Sequence, residues 1–132
     1  MIGLDTNVVV RIMTGDDEGQ VAKIRALLSG LSADDPAYVS AVVLAETVWV
    51  LESRLGYSHE AVLTGIERLL TSNELQIEHG ERLSDLLQER HGNRIDIADH
   101  LVAWSSQAAG SSGTVTFDRR AAKKIPGMEL LS

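Results

Sequence analysis

Apolar positions along the chain recur at two spacings. They alternate over short runs and return every three or four residues over longer ones, which separates strands from helices. Ile2-Gly3-Leu4 is a short apolar run ending at Asp5 and predicts a first strand. Asn7 is placed to cap a short helix through Val8, Val9, Val10, Arg11 and Ile12. Thr14-Gly15-Asp16-Asp17 is turn chemistry that starts the next helix, where Val21, Ile24, Leu27 and Leu28 recur at helical spacing. After the turn Asp34-Asp35-Pro36, Ala37-Tyr38-Val39 predicts a second strand. Ser40 caps a helix from about Ala41 to Arg54 that stops near Gly56. His59 to Leu70 reads as another helix, with Val62, Ile66, Leu69 and Leu70 on one face, and Leu75-Gln76-Ile77 as a third strand. Leu83, Leu86 and Leu87 mark a helix that ends at the turn His91-Gly92-Asn93. Asp96 opens a helix through Ile97, Leu101, Val102 and Trp104. Beyond a loop from Gly110 to Gly113 come a fourth strand at Thr114-Val115-Thr116-Phe117, a short basic helix from Arg119 to Lys124, and a fifth strand from Met128 to Leu131.

Strands alternating with helices argue for an α/β fold: a central, mostly parallel sheet of about five strands with helices on both faces. Its ligand site belongs at the carboxyl ends of the strands. The length of 132 residues suits one domain, residues 1–132. The net charge of −7 is opposite to that of a generic nucleic-acid coater, so any such contact needs a local patch or a metal. With no Cys there is no disulfide scaffold, thiolate zinc site, iron–sulfur cluster or cysteine nucleophile. The N-terminus has neither the basic start nor the apolar run of an export signal. The uncharged stretch Pro36 to Ala45 is too short to span a bilayer. The expectation is a soluble, cytoplasmic protein with no membrane partner.

Candidate chemistry is carried by acids. Asp5 follows the first strand and Asp118 the fourth, which puts both at the carboxyl edge of the sheet. Glu46 interrupts the apolar helix Ala41-Val42-Val43-Leu44-Ala45-Glu46-Thr47-Val48-Trp49-Val50-Leu51, expected to be buried over most of its circumference. A carboxylate there is costly unless it meets a cation, a metal or a donor. Asp96 and Asp99 share a helix face, although Asp96 also suits an N-cap and Asp99 the helix dipole. Converging carboxylates repel, and a hard divalent cation, Mg²⁺ or Mn²⁺, is the usual remedy. An all-oxygen set disfavours zinc or copper.

The opening Gly3-Leu4-Asp5-Thr6-Asn7-Val8-Val9-Val10-Arg11 resembles the start of PIN-domain proteins, above all the VapC ribonuclease toxins of prokaryotic toxin–antitoxin pairs. The match continues through Thr14-Gly15-Asp16-Asp17, Ser40-Ala41-Val42-Val43-Leu44-Ala45-Glu46, Asp96-Ile97-Ala98-Asp99 and Val115-Thr116-Phe117-Asp118-Arg119-Arg120, in order and over nearly the whole chain. The resemblance implies a three-layer PIN fold and metal-dependent RNA hydrolysis. It assigns the catalytic and metal-centred acids to Asp5, Glu46, Asp99 and Asp118, with Asp96 adjacent. Thr6, Asn7 and Thr116 are expected to orient these ligands by hydrogen bonds. It also implies a homodimer masked by a small VapB-like antitoxin. Two departures stand out: His100 replaces a small residue, and Trp104 is bulkier than usual.

The remaining candidates are weaker. His59, His79, His91 and His100 lie in different predicted elements and show no metal-ligand spacing. Arg119, Arg120, Lys123 and Lys124 form a basic cluster that reads either as a solvated helix face or as a contact to RNA phosphates. The aromatic residues Trp49, Trp104, Tyr38, Tyr57 and Phe117 are mostly expected in the core. A phosphoacceptor receiver domain would need an acidic pair after the first strand, an Asp after the third and a Lys ending a later strand, and the chain offers none of these. A haloacid-dehalogenase-like phosphatase would need a second Asp at position 7, which is Asn7. A catalytically silent, RNA-binding PIN module is argued against by the full acid set.

Overall fold

The computed structural model describes residues 1–90 and 94–131. The turn expected at His91-Gly92-Asn93 lies outside the described residues. The chain divides into two compact units, 1–91 and 92–132.

The first unit holds β1 (Ile2–Gly3), α1 (Thr6–Thr14), α2 (Glu18–Ser29), β2 (Ala37–Val39), α3 (Ala41–Trp49), α4 (His59–Leu70), β3 (Leu75–Ile77) and α5 (Gly80–Gln88). Its three strands form a parallel ladder in the order β1-β2-β3, with Ile2 opposite Ala37 and Ala37 opposite Leu75. β1 is extended in effect by Leu4, whose N–H donates to the Tyr38 carbonyl at 2.9 Å. The helices start where the sequence offers caps: Asp17, Ser40 and Ser58 each accept a backbone N–H one turn on. The expected cap Asn7 is a correction. α1 begins earlier, and Asp5 caps it by accepting the Val8 N–H at 3.1 Å. α1 ends at Gly15, in the left-handed region at φ 64°, whose N–H closes on the Arg11 carbonyl at 2.9 Å.

α3 continues into a five-residue π-helical turn, Val50–Arg54. Here the expectation of near-complete burial fails. Ala41, Leu44, Thr47 and Leu51 are buried at spacings of three and four, and they mark the single inward stripe. Val42 is 78% exposed and Trp49 54% exposed, because both lie off that stripe. The Trp49 ring is instead covered by the Arg54 guanidinium at 5.3 Å.

The second unit holds α6 (Ile97–Ala108), β4 (Thr114–Thr116), α7 (Arg119–Lys124) and β5 (Met128–Leu130). β4 and β5 pair in parallel, with Thr114 opposite Met128. A small core of Ala103, Ala121, Ile125 and Met128 fixes α6 and α7 against this ladder. All five expected strands are present and all pair in parallel, as a ladder of three in one unit and a ladder of two in the other. The expectation of an aromatic core is also corrected. Trp104 is buried, but Phe117 is 80% exposed, Tyr57 is exposed and Tyr38 is half-buried.

Candidate active site: two sets of acids

In the first unit the sequence delivers Asp5 directly from β1 to the start of α1, which packs on α3. Thr6 is buried, and its hydroxyl donates a short hydrogen bond to Glu46 Oε1 in the middle of α3. Two residues 40 positions apart are thereby tied together, next to Asp5. Glu46 itself is exposed, so the cost of burial first attributed to it does not apply, and what singles it out is this contact. Asn7 is exposed along a shallow groove with Val8, Arg11 and Lys23, and it caps nothing.

In the second unit three carboxylates, Asp96, Asp99 and Asp118, line one cavity of about 80 Å³. Asp96 caps α6, accepting the Asp99 N–H at 3.1 Å. Asp118 caps α7, accepting the Arg120 and Ala121 N–H groups at 2.9 and 3.1 Å. Thr116 holds Asp118 in turn: its hydroxyl oxygen accepts the Asp118 N–H at 3.0 Å. Asp99 is half-buried on the first turn of α6. Its carboxyl is pushed above the ordinary carboxylate range, first by desolvation and then by the charges of Asp96 and Asp118, with His100 opposing.

Structural and site readings of these acids are therefore compatible. Asp5, Asp96 and Asp118 each cap a helix through Oδ1, and the Asp96 carboxyl also meets that of Asp99. A carboxylate held by backbone N–H groups is a fixed ligand rather than a floppy one. The donors are carboxylate oxygens throughout, and the crowding at Asp99 is the repulsion a hard divalent cation would relieve. Among the described residues, no three His, Asp or Glu side chains are already gathered as a metal cluster.

Two further residues line the cavity, one of them, His100, already singled out by the sequence. His100 is buried, with Nδ1 bonded to the Asp96 carbonyl at 2.8 Å and its ring 5.6 Å from that of Trp104. An acceptor at Nδ1 fixes the proton there. The two departures from the family pattern thus pack on each other, and His100 forms part of the cavity wall. Arg94, in no predicted element, also lines the cavity. The structure divides the basic cluster. Arg120 and Lys124 face the cavity and Arg119 and Lys123 do not, as expected of i, i+4 pairs on two sides of a helix.

The model of the PIN domain family matches residues 2–127, and the chain belongs to that family. PIN domains are generally metal-dependent nucleases, so membership supports a nuclease that hydrolyses phosphodiester bonds. It sets aside the receiver and phosphatase readings. Comparison with curated proteins and with solved structures finds no match. No helix among the described residues is long and apolar enough to cross a membrane.

Proposed function

We propose that the chain is a metal-dependent endoribonuclease acting as the toxin of a toxin–antitoxin pair, with residues 1–132 working as one PIN domain in the cytoplasm. The observation that carries this reading is the family match over residues 2–127 on a chain that keeps the whole acid set. Asp5, Glu46 and Asp99 would hold Mg²⁺ or Mn²⁺, partly through water, with Asp118 completing the acidic pocket. A bound divalent ion would supply charge screening at the attacked phosphate and the leaving oxygen. Thr6 positions Glu46, Thr116 positions Asp118, and the helix caps hold Asp5 and Asp96. A carboxylate-oriented water would attack phosphorus in line and expel the 3′-oxygen. The substrate's 2′-hydroxyl is not needed, so products should carry 5′-phosphate and 3′-hydroxyl ends. Single-stranded or loop RNA is the substrate class, since splayed bases can be reached there.

A homodimer and a small DNA-binding antitoxin complete the proposal. Exposed Val42 and Trp49 on α3 supply apolar surface suited to a partner. An arginine from the antitoxin would suit the carboxylates. The test is cleavage of pooled RNA with Mg²⁺ or Mn²⁺, with chelator, and after co-expression with the product of the neighbouring reading frame. Cleavage that persists in chelator defeats the metal role. Cleavage that the neighbouring product neither binds nor inhibits defeats the toxin role.

A further inference from the structure

The second-unit cavity mixes signs: three carboxylates and three cations, Arg94, Arg120 and Lys124, share one wall. Opposite charges placed this close would be expected to pair. Among the described residues, the ion pairs are Arg11–Asp16, His59–Glu52, His79–Glu78, Arg90–Glu60 and Arg90–Glu67, and none involves a cavity cation. Asp96 and Asp118 instead accept backbone N–H groups as helix caps. Arg94, Arg120 and Lys124 thus line the cavity beside its carboxylates without an ion pair among the described residues.

We propose that this cavity is a subsite for one phosphate of the bound RNA, contacted by Arg94, Arg120 and Lys124, while Arg119 and Lys123 take no part. The proposal rests on the reading of the chain as an RNA nuclease and names which of its cations meet substrate. The cavity has room for an anion the size of a phosphate. Ligand chemistry agrees, because two arginine forks and a lysine suit a tetrahedral oxyanion. Placement agrees too: Arg120 and Lys124 stand one turn apart on α7, and Arg94 reaches the same space from ahead of the α6 cap Asp96.

The experiment measures binding of a fluorescent single-stranded RNA by the full-length Asp5→Asn chain in Mg²⁺, at several salt concentrations. Five variants are compared: the triple Arg94→Gln/Arg120→Gln/Lys124→Gln, its three single members, and the double Arg119→Gln/Lys123→Gln. All five side chains are on exposed residues, so the fold should survive, and a thermal melt checks it. The expected result is a loss of roughly tenfold or more in the triple, with the log–log salt slope shallower by about 0.7, the value for one single-strand phosphate. The singles should be non-additive, because they share that phosphate. The double should keep the parental slope. Equal losses from triple and double, or a triple slope change near three times 0.7, would overturn the subsite while leaving the nuclease intact. Absence of RNA binding and of cleavage by the unsubstituted chain would remove both readings together.

Discussion

The two units hold their acids differently. In the first, each acid has a donor of its own: Asp5 takes a backbone N–H and Glu46 the Thr6 hydroxyl. In the second, Asp96 and Asp118 likewise take backbone N–H groups, but they crowd Asp99, which bears both their charges. A carboxylate satisfied by the protein's own N–H and O–H groups needs nothing further to be stable. A crowded one is held at a cost that an added cation removes. The first unit thus presents ordered carboxylates, and the second a crowded Asp99 whose repulsion a bound cation would relieve.

The largest effect that can break this comparison is on catalysis. If both sets serve one metal-dependent reaction, Asp5→Asn and Asp99→Asn should each lower RNA cleavage by more than the ~10–100-fold that loss of an outer partner costs. Thr6→Val, which removes only the hydroxyl on Glu46, should fall within that ~10–100-fold range. Single-turnover cleavage with Mg²⁺ or Mn²⁺ measures all three. Full activity in either aspartate variant would detach that unit's acids from the chemistry.

Stability comes next, and the two tryptophans test it across the units. Trp104 on α6 is buried against His100, whereas Trp49 on α3 is 54% exposed. Trp104→Ala should cost about 3–5 kcal/mol in urea unfolding, and Trp49→Ala about 1 kcal/mol or less. A large loss at Trp49 in a concentration-dependent melt would place that ring in an interface between copies.

Much of this was legible in the sequence, for identifiable reasons. Ser40, Asp17, Asp96 and the turn glycine Gly15 announce helix ends through local hydrogen bonds, so the elements follow from neighbours in the chain. Asp99 and Asp96 are linked by helical spacing alone. What stayed hidden was either non-local or a matter of facing. No local rule joins Thr6 to Glu46 across 40 residues. The apolar run of α3 suggested enclosure, but burial follows the stripe Ala41-Leu44-Thr47-Leu51, and Val42 and Trp49 fall outside it. That stripe was readable from its spacing. So was the split of the basic cluster into Arg120 with Lys124 and Arg119 with Lys123. Arg94 lies in no periodic segment and carried no signal.

A smaller effect is the pH dependence of the metal-free chain. Asp99 titrates above its ordinary value in the folded state. The folded state therefore binds this proton more tightly than the unfolded chain does, and the associated stability is present at acid pH. It is lost as pH rises from the ordinary carboxyl range through the raised folded value. Asp99→Asn should remove this fall and leave the metal-free protein more stable near neutral pH than the parent. Melts in chelator between acid and neutral pH measure the difference. A parent–variant gap that does not widen with pH would mean Asp99 is not crowded.

The smallest effect separates holding a helix from holding a ligand. Asp5, Asp96 and Asp118 cap α1, α6 and α7 through one oxygen each. Asparagine keeps a side-chain oxygen for the cap, and alanine does not. Replacing each aspartate by Asn should change stability by no more than a few tenths of a kcal/mol, and by Ala should cost about 0.5–2 kcal/mol. Activity should follow a different rule. At Asp5 and Asp118, Asn should be as damaging as Ala, because both remove the negative charge that a cation needs. At Asp96, if it serves only the cap, Asn should retain activity and Ala should lose it in proportion to the fraying of α6. Asp99 sits on the first turn that this cap fixes, its own N–H being the one Asp96 accepts. Urea unfolding and cleavage measured on the same six variants settle which acids are ligands. An Asp96→Asn variant as inactive as Asp99→Asn would move Asp96 from the helix to the metal.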